Sequence, residues 1–347
     1  MVVTHVTLRN FRSYAALDLA LSPGIVLVTG ENGAGKTNLL EAVHLGTQGF
    51  SPRTRTDARL IRFGEAAASV GLRLDRGGVT HDVRVKLGAG VGKVAELDGA
   101  RLPSADGLRR EFPTLVFTPD RLAVVKGGPA VRRAYLDRVL GRLFPSRAGV
   151  PADYAATLAQ RNAALRRVQL GLAQRDILAP WTERIAGLAI ELVAARREAV
   201  AALSPGFSER LGELGLPAGL LRYDGEPPDV PTLTARIDAD IARGTTGLGP
   251  HLDELALEAA GRELRGFGSQ GEQRLALLAL LLTEATLLPA SPLVLLDDVL
   301  SELDSRRRGI LAACVSRLGQ TMITATHRSA LPAEPSQVVE VSDGTAV

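Results

Sequence analysis

The chain has 347 residues, 46% of them hydrophobic and 23% charged, with glycine and proline scattered along it, the profile of a folded globular protein with two domains or one large domain carrying an insertion. Its start, MVVTHVTLRNF, has no basic lead, apolar core and small-residue cleavage site, and its most apolar run, 275–282, stops at Thr283 and Glu284, far short of the ~20 residues of a membrane helix, so neither export nor a membrane span is expected. The single cysteine, Cys314, excludes an intramolecular disulfide and a cysteine metal cluster, which fits a reducing, cytoplasmic setting. Net charge is only +3, and just four of the 41 basic residues are lysines (Lys36, Lys86, Lys93 and Lys126), a bias that a GC-rich genome explains. The distribution is more informative: residues 121–200 hold 14 basic and 6 acidic side chains, a local +8.

In chain order, an alternating stretch (His5 and Thr7 against Val6 and Leu8) leads to a β-rich run, Ile25–Thr29, a glycine-rich loop and an apolar-periodic segment after Lys36: strand, loop, helix. Residues 70–97 are valine-rich and punctuated by Gly77, Gly78, Gly88, Gly90 and Gly92, predicting antiparallel hairpins, and 110–117 ends the block with a short strand. From Pro119 to about 214 the spacing turns helical, as in Leu158, Leu165 and Leu172 and again in Ile185, Leu188 and Leu192, predicting two long helices flanked by shorter ones. A loop-rich stretch at 217–231 and a helix at 232–243 follow. The last third reads as two strands at 254–264, a helix at 271–288, a buried strand at 293–296, a helix at 304–318 and a strand at 321–325, the alternation of a mostly parallel sheet with covering helices.

The chemistry is concentrated in a few places. Gly30-Glu31-Asn32-Gly33-Ala34-Gly35-Lys36-Thr37 follows the phosphate-loop pattern G-x-x-x-x-G-K-[ST], set between an apolar strand and a helix as the mechanism requires. Its glycines allow backbone N–H groups, with Asn38 beginning the helix, to wrap phosphates; Lys36 supplies positive charge to the β- and γ-phosphates and Thr37 a hydroxyl to Mg²⁺. The run 293–296 ends in Asp297 and Asp298, the form of a Walker B strand in which Asp297 holds Mg²⁺ and Asp298 orients or deprotonates the attacking water. Phe267-Gly268-Ser269-Gln270-Gly271-Glu272-Gln273-Arg274 opens an apolar helix; alone it reads equally as an ordinary serine cap or as a second anion site at a helix start. His327 follows the strand ending in Thr324-Ala325-Thr326, where by itself it is a surface residue.

Together these motifs resemble those of ABC-type ATPases: the S-x-G-E/Q signature at Ser269, Gly271 and Glu272, a D-loop at Ser301-Glu302-Leu303-Asp304, and a switch histidine at His327, which the resemblance places at the γ-phosphate. The insert between Lys36 and Ser269 exceeds that of a transporter subunit, yet contains no long heptad arm as in SMC proteins. With Leu8-Arg9-Asn10-Phe11-Arg12-Ser13-Tyr14, Thr118-Pro119-Asp120-Arg121-Leu122, Lys126-Gly127-Gly128-Pro129, Arg132-Arg133 and Gly249-Pro250-His251, the chain resembles the RecF family along its whole length. Two departures stand out: Leu252-Asp253-Glu254 where the family usually writes R-D-D after G-P-H, and Asp298 where transporters carry glutamate, a shorter carboxylate that implies slow hydrolysis.

The resemblance implies an α/β ABC-type ATPase head of mixed sheets with covering helices, built from both chain ends (1–117 and 251–347), with an inserted, mainly helical arm at 118–250. It further implies ATP and Mg²⁺ as ligands and an ATP-dependent homodimer in which Ser269 and Gly271 of one copy cap the nucleotide of the other. DNA would be bound at single-strand/double-strand junctions, with RecR and RecO as partners in loading RecA. Arg132, Arg133, Arg161, Arg166 and Arg167 are candidate phosphate contacts, or solvated helix faces; Asn10, Arg12 and Ser13 are candidates near the adenine. A DNA clamp with vestigial hydrolysis and a transport-coupled ATPase are the alternatives.

Overall fold

The computed structural model describes residues 1–88 and 92–347, with Asp106 and Glu302 described in backbone only; Gly90, one of the expected hairpin glycines, lies outside the described residues. Two compact units emerge, one of 1–122 with 280–347 and one of 123–279.

The first unit holds two sheets. β1 (Val2–Phe11), β2 (Tyr14–Ala20), β4 (Ala67–Arg76), β5 (Val79–Gly88), β6 (Gly92–Leu97) and β7 (Ala100–Arg101) form an antiparallel sheet in the order β2-β1-β4-β5-β6-β7. The second sheet takes β3 (Ile25–Thr29), β8 (Thr114–Phe117), β12 (Leu293–Leu296), β13 (Thr321–Ala325), β14 (Gln337–Ser342) and β15 (Thr345–Ala346) in the order β15-β14-β3-β13-β12-β8. All its pairings are parallel except β14 with β15. β3, β8, β12 and β13 are buried at every position, which is why their sequences are continuous β-branched and leucine runs rather than alternating ones. Helix α1 (Lys36–Gln48) belongs to the same core: Leu39, Val43 and Leu45 cluster with Val70 and Leu72 of one sheet and Val26, Val28 and Met322 of the other. Its approach is close enough that a Cβ on Gly46 would stand 2.4 Å from Leu72 Cδ1. Helices α2 (Asp106–Glu111) and α11 (Ser305–Val315) complete the unit; Phe112 and Pro113 separate α2 from β8, so the strand expected from 110 begins only at Thr114.

The second unit contains α3 (Ala123–Lys126), α4 (Pro129–Leu143), α5 (Val150–Gln169), the 35-residue α6 (Ala179–Glu213), α7 (Val230–Ala235), α8 (Ile237–Arg243), α9 (Leu264–Phe267) and the first part of α10 (Gln270–Leu287). The two long helices are α5 and α6, as their spacing predicts. The helix expected at 232–243 starts earlier, on the Asp229 cap with Pro231 in its first turn, and breaks at Arg236 into α7 and α8. The stretch 217–231 is not all loop: it supplies β9 (Leu220–Asp224), which pairs antiparallel with β10 (Glu254–Ala259), itself paired with β11 (Arg262–Glu263). The compact units divide at 122/123 and 279/280, where the expected domain boundaries are 117/118 and 250/251, and β10 pairs with a strand of the insert.

Candidate functional site

The loop 30–37 leaves β3 with backbone angles that only glycine adopts cheaply: φ is 147° at Gly30, 88° at Gly33 and 118° at Gly35. Space adds a second demand at two of them. A Cβ at Gly30 would sit 2.2 Å from the Val341 carbonyl oxygen, and one at Gly35 2.9 Å from Ser13 Oγ. The Tyr14 hydroxyl donates to the Gly35 carbonyl at 3.1 Å, and its burial raises its pKa. Lys36 opens α1 and folds back over the loop, its Nζ donating to the carbonyls of Gly30 at 2.7 Å and Glu31 at 2.8 Å, and the Ala34 N–H donates to Glu31 O at 3.2 Å. Burial lowers the Lys36 pKa, while the charges of Asp298 and Asp297 oppose the shift.

Asp297 ends β12 and is buried. Its Oδ1 accepts from Thr37 Oγ1 and Thr324 Oγ1, each at 2.9 Å, so one carboxylate oxygen ties the start of α1 to the ends of β12 and β13. Burial pushes its carboxyl pKa up, and the two threonine bonds and the nearby Arg53 charge pull against that. Asp298 takes the left-handed conformation, φ 51°, rare for a residue with a side chain, and its N–H donates to Thr324 Oγ1 at 2.8 Å. The bend turns its side chain to the surface. Asn32, Gly33, Gly35, Lys36, Thr37, Asn38, Arg53, Asp297, Asp298 and Thr324 line one cavity of about 300 Å³. Its hard oxygens, the Thr37 hydroxyl and the Asp297 carboxylate, suit Mg²⁺, which binds through one or two protein oxygens and completes its shell with water and phosphate.

The structure separates other expected residues from this cavity. Arg12 forks onto the buried Glu41 of α1, Nε and Nη2 both at 2.8 Å, and gives Nη1 to the Arg59 carbonyl at 2.8 Å. Asn10 Nδ2 donates to Glu65 Oε2 at 3.0 Å, whereas Ser13 Oγ accepts from the cavity residue Asn38 at 3.0 Å. His327 follows β13 and is exposed, outside the cavity lining. Arg53 is a cavity residue that the sequence reading missed: its Nη1 lies 3.3 Å from Asn38 Oδ1 and 3.4 Å from Glu41 Oε2. Nothing in the local sequence singles it out from Arg55 or Arg59; its position follows from the packing of α1.

In the second unit, Ser269 and Glu272 form a reciprocal capping box at α10, Ser269 N–H to Glu272 Oε2 at 2.7 Å and Glu272 N–H to Ser269 Oγ at 3.3 Å. Gln273 Nε2 donates to the Leu264 carbonyl at 2.9 Å, anchoring the turn from behind. Ser269, Gln270 and Gly271 are exposed, and a Cβ on Gly271 would meet no atom within 4 Å. In the D-loop stretch Ser301 Oγ donates to the Asp298 carbonyl at 3.0 Å, and Asp304 caps α11 through the Arg307 N–H at 2.8 Å.

The candidate phosphate contacts of the arm need correction. Arg161 is fully buried, its Nη1 on Asp240 at 2.9 Å and Thr246 at 2.6 Å, and Arg132 is buried with Nε on Glu254 at 2.6 Å and Nη1 on the Gly127 carbonyl at 2.7 Å. Neither reaches solvent, so neither neutralises a phosphate; each holds segments of the arm together. Arg133 is half-buried and donates to the Asp253 carbonyl at 2.7 Å. Only Arg166 and Arg167, in the last turn of α5, are exposed.

Comparison with known proteins gives this geometry a family. The profile of the RecF/RecN/SMC N-terminal domain family matches residues 2–346. The chain is 36% identical over 355 residues to the DNA replication and repair protein RecF of Heliobacterium modesticaldum, covering 96% of this chain and 95% of that protein. It is 37% identical over 366 residues to that of Frankia alni, covering 96% of each. A solved structure of the recombination mediator protein RecF-ATP in the RecFOR pathway superposes with a TM-score of 0.87 at 25% identity over 100% of this chain and 98% of that one. The Smc head domain of Pyrococcus furiosus, with a TM-score of 0.62 at 19% identity over 99% of this chain and 94% of that one, shares the fold, so the expected α/β ABC-type ATPase head is borne out. The chain belongs to the RecF/RecN/SMC N-terminal domain family and, within it, to the RecF DNA replication and repair proteins.

Proposed function

We propose that the chain is a cytoplasmic, ATP-dependent DNA-binding repair protein that pairs with a second copy on ATP, holds gapped or junction DNA, and assists RecA loading together with RecR and RecO. The observation that carries this reading is the convergence of Lys36, Thr37, Asp297 and Asp298 on one cavity, together with an exposed signature turn whose Gly271 answers no steric demand within its own chain. ATP is the substrate: the 30–37 backbone, Lys36 and the first N–H groups of α1 bind its phosphates. Thr37 and Asp297 would hold Mg²⁺, which supplies charge neutralisation at the β- and γ-phosphates. Asp298 orients the attacking water and accepts its proton. His327, exposed beyond the end of β13 and outside the cavity lining, is the switch residue that reaches the γ-phosphate from solvent when ATP is bound. Ser269 and Gly271 of the second copy close the site, the serine hydroxyl and the free N–H groups at the start of α10 facing the γ-phosphate.

Pairing stabilised by a bridging γ-phosphate is a population shift: loss of that phosphate removes the differential contacts of the paired state, and DNA is released. The short Asp298 side chain makes turnover slow, so hydrolysis times release. Sedimentation of the purified chain with and without ATP, and with a gapped duplex, tests the reading as a whole. The expected result is a monomer without nucleotide and a dimer with ATP that carries the DNA; a dimer of equal strength without nucleotide overturns the cycle.

A further inference from the structure

The outward face of the antiparallel sheet in the first unit carries a trough of about 820 Å³ that the nucleotide chemistry does not use. Its floor is β4, where three successive outward residues, Ala67, Ser69 and Gly71, are small and the next, Arg73, is a cation. Its walls are β1 and β5. In register, Arg9 stands opposite Ser69 and Ser69 opposite Lys86; one step along, Thr7 stands opposite Gly71 and Gly71 opposite Arg84. These rows are two residues apart, about 6.8 Å along the strands, and the walls are two strand spacings apart, about 9.6 Å. The inward face of the same strands carries Val6, Leu8, Val70, Leu72, Val83 and Val85 in the core, so the register that holds the trough cannot slip without inverting both faces.

Gly71 is the informative residue. Its φ lies outside the left-handed region, so backbone conformation does not require glycine, and a Cβ there would meet Thr7 at ordinary contact distances, Cβ at 3.5 Å, O at 3.8 Å and Oγ1 at 4.0 Å. Glycine in a strand interior weakens the strand, and one demanded neither by φ nor by packing marks a place where something outside approaches the backbone. The wall chemistry says what. Four permanent cations, Arg9, Arg73, Arg84 and Lys86, line the trough against two carboxylates, Asp82 and Glu96. Arg73 pairs with Asp82 and Lys86 with Glu96, while Arg9 and Arg84 form no salt bridge among the described residues. The ring that lines it among the described residues is His5, hydrogen-bonded to Asp18; no Phe, Tyr or Trp lining it offers a stacking platform. β1, β4 and β5 are each paired on both sides, so no main-chain edge is free to bind an extended peptide. Cations and a hydroxyl along an open groove are what a phosphodiester backbone needs.

We propose that this trough is a DNA backbone site, separate from the ATP cavity, in which one sugar–phosphate strand lies along β4 and is held by Arg9, Arg84, Lys86 and the Thr7 hydroxyl. The proposal rests on the DNA-binding reading above and assigns that binding to a face of the head. Recognition is of phosphates alone, without base preference.

The test is anisotropy of a fluorescent gapped duplex against the full chain over a salt series, with nucleotide binding measured in parallel. Arg9→Gln with Arg84→Gln weakens DNA binding roughly tenfold or more at moderate salt and lowers the slope of log affinity against log salt by about 1.8, for two lost phosphate contacts, with ATP affinity unchanged. Gly71→Val, which fills the floor with a strand-favouring side chain, leaves Tm equal or higher while DNA affinity falls several-fold. Parent-like DNA affinity and salt slope in the double variant, with DNA bound by the parent, overturn the trough and leave the proposed function standing. Failure of the parent itself to bind DNA overturns both. Unchanged DNA binding in the double variant, combined with loss of a polyglutamate peptide that the parent captures, assigns the trough to an acidic protein segment and equally overturns the DNA site.

Discussion

Arg161 of the arm and Lys36 of the head hold their charges in opposite ways. In the arm, Arg161 is fully buried with its guanidinium engaged by Asp240, Thr246 and Thr182, and Arg196 forks onto Asp137 at 2.8 and 3.0 Å. In the head, Lys36 forms no salt bridge among the described residues and rests on two carbonyls of its own loop, contacts that an incoming phosphate can replace. A cation neutralised by a fixed carboxylate is structural, whereas one left on weak neutral acceptors at the rim of a cavity keeps its charge for a ligand. In the sequence, Lys36 is marked by its phosphate-loop motif, whereas nothing local to Arg161 separates a buried structural cation from an exposed one.

The sharpest way to break this comparison is Arg161→Ala. It strands Asp240 in the interior, so a loss of about 3–5 kcal/mol is expected by denaturant unfolding, with nucleotide affinity per folded molecule unchanged. An Arg161→Ala chain of parental stability would show the buried pair to be dispensable. Lys36→Ala is the mirror case: ATP affinity falls by a charge-assisted bond worth about 1.5–3 kcal/mol, while Tm stays near that of the parent, and calorimetric titration beside a melting curve reads both. Ser269→Arg comes next. Losing the cap costs about 1 kcal/mol of stability, ATP binding by the single chain persists, and ATP-driven pairing disappears in sedimentation; equal loss of binding and pairing would remove the case for a site shared between copies.

The smallest effect is at Asp297. Because burial raises its carboxyl pKa in the folded chain, the folded state holds the proton more tightly than the unfolded one. The stability of the nucleotide-free protein therefore falls as pH rises from the ordinary carboxyl range through the raised value, and is flat above it. Asp297→Asn removes that slope and slightly raises Tm at neutral pH, while abolishing hydrolysis; a pH series of melting curves on parent and variant shows whether the slope belongs to this residue.

By itself the sequence determined the pieces whose information is local. The glycines of 30–37 are legible because left-handed backbone leaves almost no other choice, the β3 and β12 runs because strands buried on both faces lose their alternation, and the 269–272 cap because its bonds close within one turn. Tertiary structure alone decided what depends on partners far along the chain. Arg132 and Arg161 were legible as cations but not as buried ones, since their acids lie 122 and 79 residues away. Arg53 entered the cavity through the packing of α1, and β10 joins the second unit through its pairing with β9 and its packing on α4. The trough on the outer face required three strands in register, because a row of charges across a sheet is written in no single stretch of sequence.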